Sequence, residues 1–92
     1  MIGYVECEIT IFHAQSLKEK RAVLQRVIMR LKQKYNIAVS EIGHQDMWNI
    51  TKIALVTVSS SKKQCERELL NALKFMDSFP EWERIETNFE WL

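Results

Sequence analysis

Twice along this chain an apolar pattern of period two gives way to one of period 3.6, and each time a capping box stands at the changeover. From Ile2 to Phe12, Val5, Cys7, Ile9 and Ile11 alternate with Tyr4, Glu6, Glu8 and Thr10, a strand with one face on a core and one partly exposed acidic face. Ser16-x-x-Glu19 then starts a helix, because each side chain of such a box satisfies an orphan amide of the first turn. At 100° per residue Leu17, Leu24, Ile28, Leu31 and Tyr35 fall on one stripe with Val27 at its edge, so the helix runs to about Tyr35. Ile37 to Gly43 and Ile50 to Ser59 read as two further strands, the later one a nearly continuous β-rich run that suits a central position. Ser61-x-x-Gln64 repeats the capping signal, and Cys65, Leu69, Ala72, Leu73 and Met76 form the stripe of a second helix that stops before Pro80. A last strand follows from Glu83 to Leu92, with Ile85, Thr87, Phe89 and Trp91 alternating with Glu86, Asn88 and Glu90.

The resulting order, βαββαβ, predicts an α+β fold of the ferredoxin-like plan: a four-stranded antiparallel sheet in the order 4-1-3-2 with two helices on one face. With 92 residues, 47% of them hydrophobic and 27% charged, the expectation is a single ferredoxin-like domain over 1–92. Two glycines and one proline leave no room for a linker or a glycine-rich phosphate loop. The start, Met1-Ile2-Gly3-Tyr4-Val5-Glu6, lacks the basic region of a signal peptide, and no apolar stretch approaches the roughly 20 residues that span a bilayer. A cytoplasmic protein without a membrane partner is expected. Cys7 and Cys65 have no metal-ligand or redox spacing and read as reduced core residues.

Two polar segments interrupt the pattern, His13 to Arg21 and Gly43 to Asn49, and the predicted topology brings both to one end together with Phe79 to Arg84. Lys20 and Arg21 fall at the two margins of the first helix's apolar stripe, and a guanidinium there needs a carboxylate. Asp46 is the expected partner, so that an Arg21–Asp46 ion pair would tie the hairpin to the helix. His44 and Asp46 as base and orienter, or joined by His13 as metal ligands, are set aside, because no nucleophile completes a mechanism. No catalytic residue, cofactor or metal is assigned. Trp48 is read chiefly as a lid on the core, with exposure as an anchor the alternative.

Ala14-Gln15-Ser16-Leu17-Lys18-Glu19-Lys20-Arg21, followed by His44-Gln45-Asp46 and Trp48, resembles the YlxP-like family of small bacterial proteins, which has no assigned activity. The resemblance covers essentially the whole chain. It implies a ferredoxin-like fold, a cytoplasmic bacterial setting, a loose association with genes for translation and ribosome maturation, and a similarity to ribosome-binding factors. It implies no catalytic residues, and His13 is not part of the pattern.

Charge separates along the chain although its net value is only +1. Between Ser16 and Tyr35, Lys18, Lys20, Arg21, Arg26, Arg30, Lys32 and Lys34 stand against Glu19 alone, whereas the stretch from Asp77 onward is acidic. A basic helix of this kind either forms a solvated surface or meets phosphates. The expected working surface is Gln15, Lys18, Arg21, Gln45, Asp46 and Trp48, on a non-enzymatic binding module associated with a ribosome or RNA through the first helix and the loop end. The alternative is a dimeric protein-interaction or regulatory module without nucleic-acid affinity, self-associating through the sheet face or edge. Base stacking across the sheet is not expected, because the third strand has no aromatic residue and the first exposes Glu6 and Glu8.

Overall fold

A computed structural model describes residues 1–92. The elements follow the predicted order: β1 (Ile2–Ile11), α1 (Leu17–Lys34), β2 (Ala38–Gly43), β3 (Ile50–Val58), α2 (Lys62–Asp77) and β4 (Trp82–Trp91). The strands form one antiparallel sheet in the order β2-β3-β1-β4, which is the expected 4-1-3-2 read from the other edge. The fold is the ferredoxin-like α+β arrangement.

The core lies between the helices and the inward face of the sheet, where Val5, Cys7, Ile9, Ile53 and Leu55 meet Leu24, Val27 and Leu31 of α1 and Leu69, Ala72 and Met76 of α2. Burying one such Val, Leu, Ile or Met side chain contributes about 1.5–3 kcal/mol. Gly3 permits the closest approach: a Cβ there would stand 2.9 Å from Trp91 Cζ3 and 3.0 Å from Leu69 Cδ1. Trp91 therefore lies on the helix side of the sheet, stacked on Phe89 and covered by the Lys62 ammonium, and not on the open face.

Both predicted N-caps form, with Ser16 Oγ accepting from the Glu19 amide at 3.1 Å and Ser61 Oγ accepting from the Gln64 amide at 3.2 Å. The return arms differ from a standard box. Glu19 accepts from the Gln15 amide, and Gln64 accepts from the Ser59 hydroxyl, so each cap braces the incoming loop as well as the first turn.

The buried side of α1 is rotated from the predicted stripe. Lys20, Leu24, Val27 and Leu31 are its buried residues, while Ile28 and Tyr35 are only half-buried. On a helical wheel this moves the centre of the buried face by about 40°, placing Lys20 inside it and Arg21 outside. The cause is chemical: a stripe drawn through apolar residues leaves out a lysine that carries its own acceptors.

Candidate functional site

The loop after β1, the β2–β3 hairpin and the turn after α2 converge at one end. Ile11 N–H donates to the Asn49 carbonyl at 2.9 Å, and Phe12 N–H donates to the Glu81 carbonyl at 2.8 Å. Trp82 closes this end from within, its buried indole N–H donating to the Met76 carbonyl at 2.8 Å. His13 and His44 take left-handed backbone conformations, φ 64° and 60°, at the two sharp departures from β1 and β2.

Lys20 holds the corner together. Its side chain is only 1% exposed, and its ammonium reaches Glu41 Oε2 at 3.0 Å, the His44 carbonyl at 2.7 Å and the Met47 carbonyl. An ammonium has three protons, and here each has an acceptor. Glu41 also accepts from the buried Thr51 hydroxyl at 2.6 Å, so one α1 side chain locks β2, β3 and the hairpin tip.

The expected Arg21–Asp46 ion pair is absent. Both residues are exposed, and neither forms a salt bridge. With the helix rotated, the tie between α1 and the hairpin falls to Lys20 and Glu41. Trp48 is corrected as well: at 46% exposure, beside an equally exposed Met47, it stands out from the hairpin and does not lid the core. The remaining expected surface residues, Gln15, Lys18 and Gln45, are exposed at the same end.

The seven cations of α1 divide into two groups. Lys20 is buried, Arg26 pairs with Glu81, and Arg30 and Lys34 lie over the rings of Phe79 and Phe75 at 5.8 and 4.6 Å, so the side of α1 toward α2 is engaged. Lys18, Arg21 and Lys32 have no carboxylate and no ring. With Gln25 and Met29 they form one exposed line along the side of α1 toward β2, about 21 Å from Lys18 to Lys32. Beneath it runs a cleft of about 530 Å³ lined by Arg21, Leu24, Gln25, Ile28, Met29, Lys32 and Glu41.

The opposite face of the molecule is acidic. Tyr4, Glu6 and Glu8 of β1 stand beside Glu90, Asn88 and Glu86 of β4 in the pairing register. Glu6 is drawn below the usual carboxylate range by the Tyr4 hydroxyl, 2.8 Å away, and by Lys52, and the same bond raises the Tyr4 phenol. His44 Nε2 lies 3.5 Å from Glu8 Oε1. No three of the His, Cys, Asp and Glu side chains cluster so as to hold a metal ion. Cys7 and Cys65 are both free and buried, and burial raises the Cys7 thiol above its ordinary value. No helix is long and apolar enough to cross a membrane.

Two comparisons agree with the resemblance carried by the corner. Residues 2–89 match the family model described as "Protein of unknown function (DUF503)". The chain belongs to this family. It is also 54% identical over 91 residues to the "Uncharacterized protein YlxP" of Bacillus subtilis (strain 168), covering 99% of each chain. A relative matched along its whole length at this identity includes both polar segments of the corner in the aligned region.

Proposed function

We propose that this DUF503 chain is a cytoplasmic, non-enzymatic binding module that meets the phosphates of ribosomal RNA through α1 and the adjoining loop end. The observation that carries this reading is the line of Lys18, Arg21 and Lys32, three cations left without an internal partner in a helix whose other cations are all engaged. Gln15, Gln45 and Trp48 are exposed at the adjoining corner and add hydrogen-bonding and stacking groups. The acidic open face of the sheet repels the same ligand, so the two faces orient the molecule on its partner.

Gradient fractionation of a cell lysate at low and high salt tests the reading. The protein is expected with ribosomal particles at low salt and free at high salt. Binding of purified ribosomal RNA should fall with salt at a logarithmic slope of about 2–3 for three phosphate contacts, and each of K18E, R21E and K32E should reduce that slope by about 1. A wholly free distribution at low salt refutes it.

One further observation supports a second reading, a homodimer without nucleic-acid affinity. At the β2–β3 half of the open face Ile2, Ala38, Val56 and Val58 make an apolar strip beside a shallow depression of about 420 Å³. Such a strip suits self-association through the sheet. A solution mass twice that of the 10.9 kDa chain, halved by Val58→Lys, would favour it.

A further inference from the structure

The sheet has two edges, and they are guarded differently. β4 carries Glu83, Arg84, Glu86 and Glu90 and has a register break opposite Glu8 and Ile9 that leaves Ile85 unpaired, the charged and irregular edge that resists pairing with another chain. β2, Ala38-Val39-Ser40-Glu41-Ile42-Gly43, has neither proline nor lysine, and its one charge is turned inward to Lys20. Its only irregularity is at Ile42, the far end.

The free hydrogen-bonding groups of β2 follow from the ladder. Ile2 and Leu92 exchange both of their backbone bonds, so the β1 residues that bond toward β3 are Gly3, Val5 and Cys7. Thr57 then faces β1, Val56 faces β2, and Ala38 and Ser40 bond to β3. Val39 and Glu41 are left with N–H and C=O groups directed away from the sheet. None of the backbone bonds outside the helices and strands involves either residue, and the one side-chain bond to these groups is from the exposed Ser40 hydroxyl to the Glu41 carbonyl at 3.3 Å.

We infer that the free edge of β2 accepts an extended segment of a partner protein as a fifth strand, one that presents two carboxylates flanking an apolar side chain on the face turned toward α1. The new strand would run along the cleft beside β2. Its helix-side residues would place the apolar side chain against Leu24, Ile28 and Met29 and the carboxylates against Arg21 and Lys32. Arg21 and Lys32 are about 16 Å apart along α1, and residues i and i+4 of a strand are about 13–14 Å apart, a difference that the two long side chains span. The matching pattern is acid-x-apolar-x-acid. A second copy of this chain is a poor occupant, because pairing β2 with β2 across a two-fold axis sets the Arg21 and Lys32 of each copy against those of the other. The inference rests on the free edge; it shares Arg21 and Lys32 with the phosphate-binding reading, and protection of the Val39 and Glu41 amides tells the two apart.

A displayed library of random octapeptides, selected against the full chain, supplies the probe, and the best sequence is then made as a free peptide. Enriched sequences should carry the acid-x-apolar-x-acid pattern. Saturation should slow hydrogen exchange at the Val39 and Glu41 amides at least tenfold. R21E with K32E should weaken binding at least tenfold, and N-methylation of one alternate set of peptide amides should abolish it while the other set is tolerated. A library without enrichment, or enriched sequences without carboxylates, would overturn the inference. So would equal binding of the two N-methylated peptides, or an occupant that leaves Val39 and Glu41 exchanging at their free rates, as RNA lying on α1 alone would.

Discussion

Replacing Lys20 by methionine keeps most of the aliphatic stem in the core and removes the ammonium that joins α1 to the hairpin. Breaking a buried ion pair from one side costs about 3–5 kcal/mol, because the surviving charge is left without compensation. Glu41 softens that figure, since its side chain is 20% exposed and it keeps the 2.6 Å bond from Thr51. The Met47 carbonyl also loses its donor, and the His44 carbonyl is left with the Met47 amide at 3.0 Å, but both belong to a hairpin tip that water can reach. A loss of about 3 kcal/mol is expected, a large part of the roughly 5–14 kcal/mol available to a domain of this size. At about 4–8 °C per kcal/mol this lowers Tm by about 12–24 °C. Denaturant unfolding followed by tryptophan fluorescence measures the loss, and a cycle with Glu41→Gln, which keeps an acceptor for Thr51, isolates the pair. The coupling should exceed about 1.5 kcal/mol and should barely change with salt, because Lys20 is shielded from solvent. A methionine variant within 1 kcal/mol of the parent, or a coupling energy of zero, refutes the assignment of Lys20 as the tie.

Gly3→Ala forces a methyl group to within 3.0 Å of both Trp91 and Leu69 and should cost about 1–3 kcal/mol by overpacking, which an unfolding curve unchanged to within 0.5 kcal/mol would contradict. The Tyr4–Glu6 bond predicts opposite pH effects at its two ends. Glu6 has a depressed folded pKa, so its contribution is present above the unfolded value of about 4.3 and is lost as pH falls through the lower folded one. Tyr4 has a raised folded pKa, so its contribution is present below the unfolded value of about 10 and disappears as pH rises through the higher folded one. In Tyr4→Phe the Glu6 carboxyl, followed by NMR titration, should move back up toward the ordinary range; an unmoved titration would show that Lys52 alone depresses it.

Regular structure was legible in this chain because local signals agreed with one another. The period-two run of β1, the Ser16 and Ser61 caps and the stripe of α2 each lie where the fold has them, and consistency of that kind is what lets a sequence specify one topology. The corner was legible in place but not in detail. Arg21 and Lys20 are adjacent, both can be drawn beside the stripe, and the choice between them depends on a rotation of about 40° that only packing against β2 settles. Glu41 was hidden for a related reason, since a glutamate in a short half-exposed strand looks like a solvent residue until its lysine is found. The side of Trp91 could not be read at all. Trp82 and Trp91 stand an odd number of positions apart in the sequence, so unbroken alternation would put them on opposite faces, and the unpaired Ile85 resets the alternation so that both face the helices.

That internal pairing also shapes the outer surface. Glu41 lines the floor of the cleft between α1 and β2, and a free carboxylate there would repel an acidic strand approaching the edge. Because Lys20 takes up that charge from beneath, the cations that remain for a partner are Arg21 and Lys32, and the cleft is net positive. Stability and recognition therefore separate in a testable way. Lys20→Met should weaken the acidic peptide as well as the fold, since it exposes the partner to an uncompensated Glu41. Adding Glu41→Gln to that variant should restore peptide binding by removing the repelling charge while returning only part of the lost stability, because the His44 and Met47 carbonyls still lack the Lys20 ammonium. If peptide affinity tracks stability through the series, the cleft's charge has no part in recognition, and the edge of β2 binds through its backbone alone.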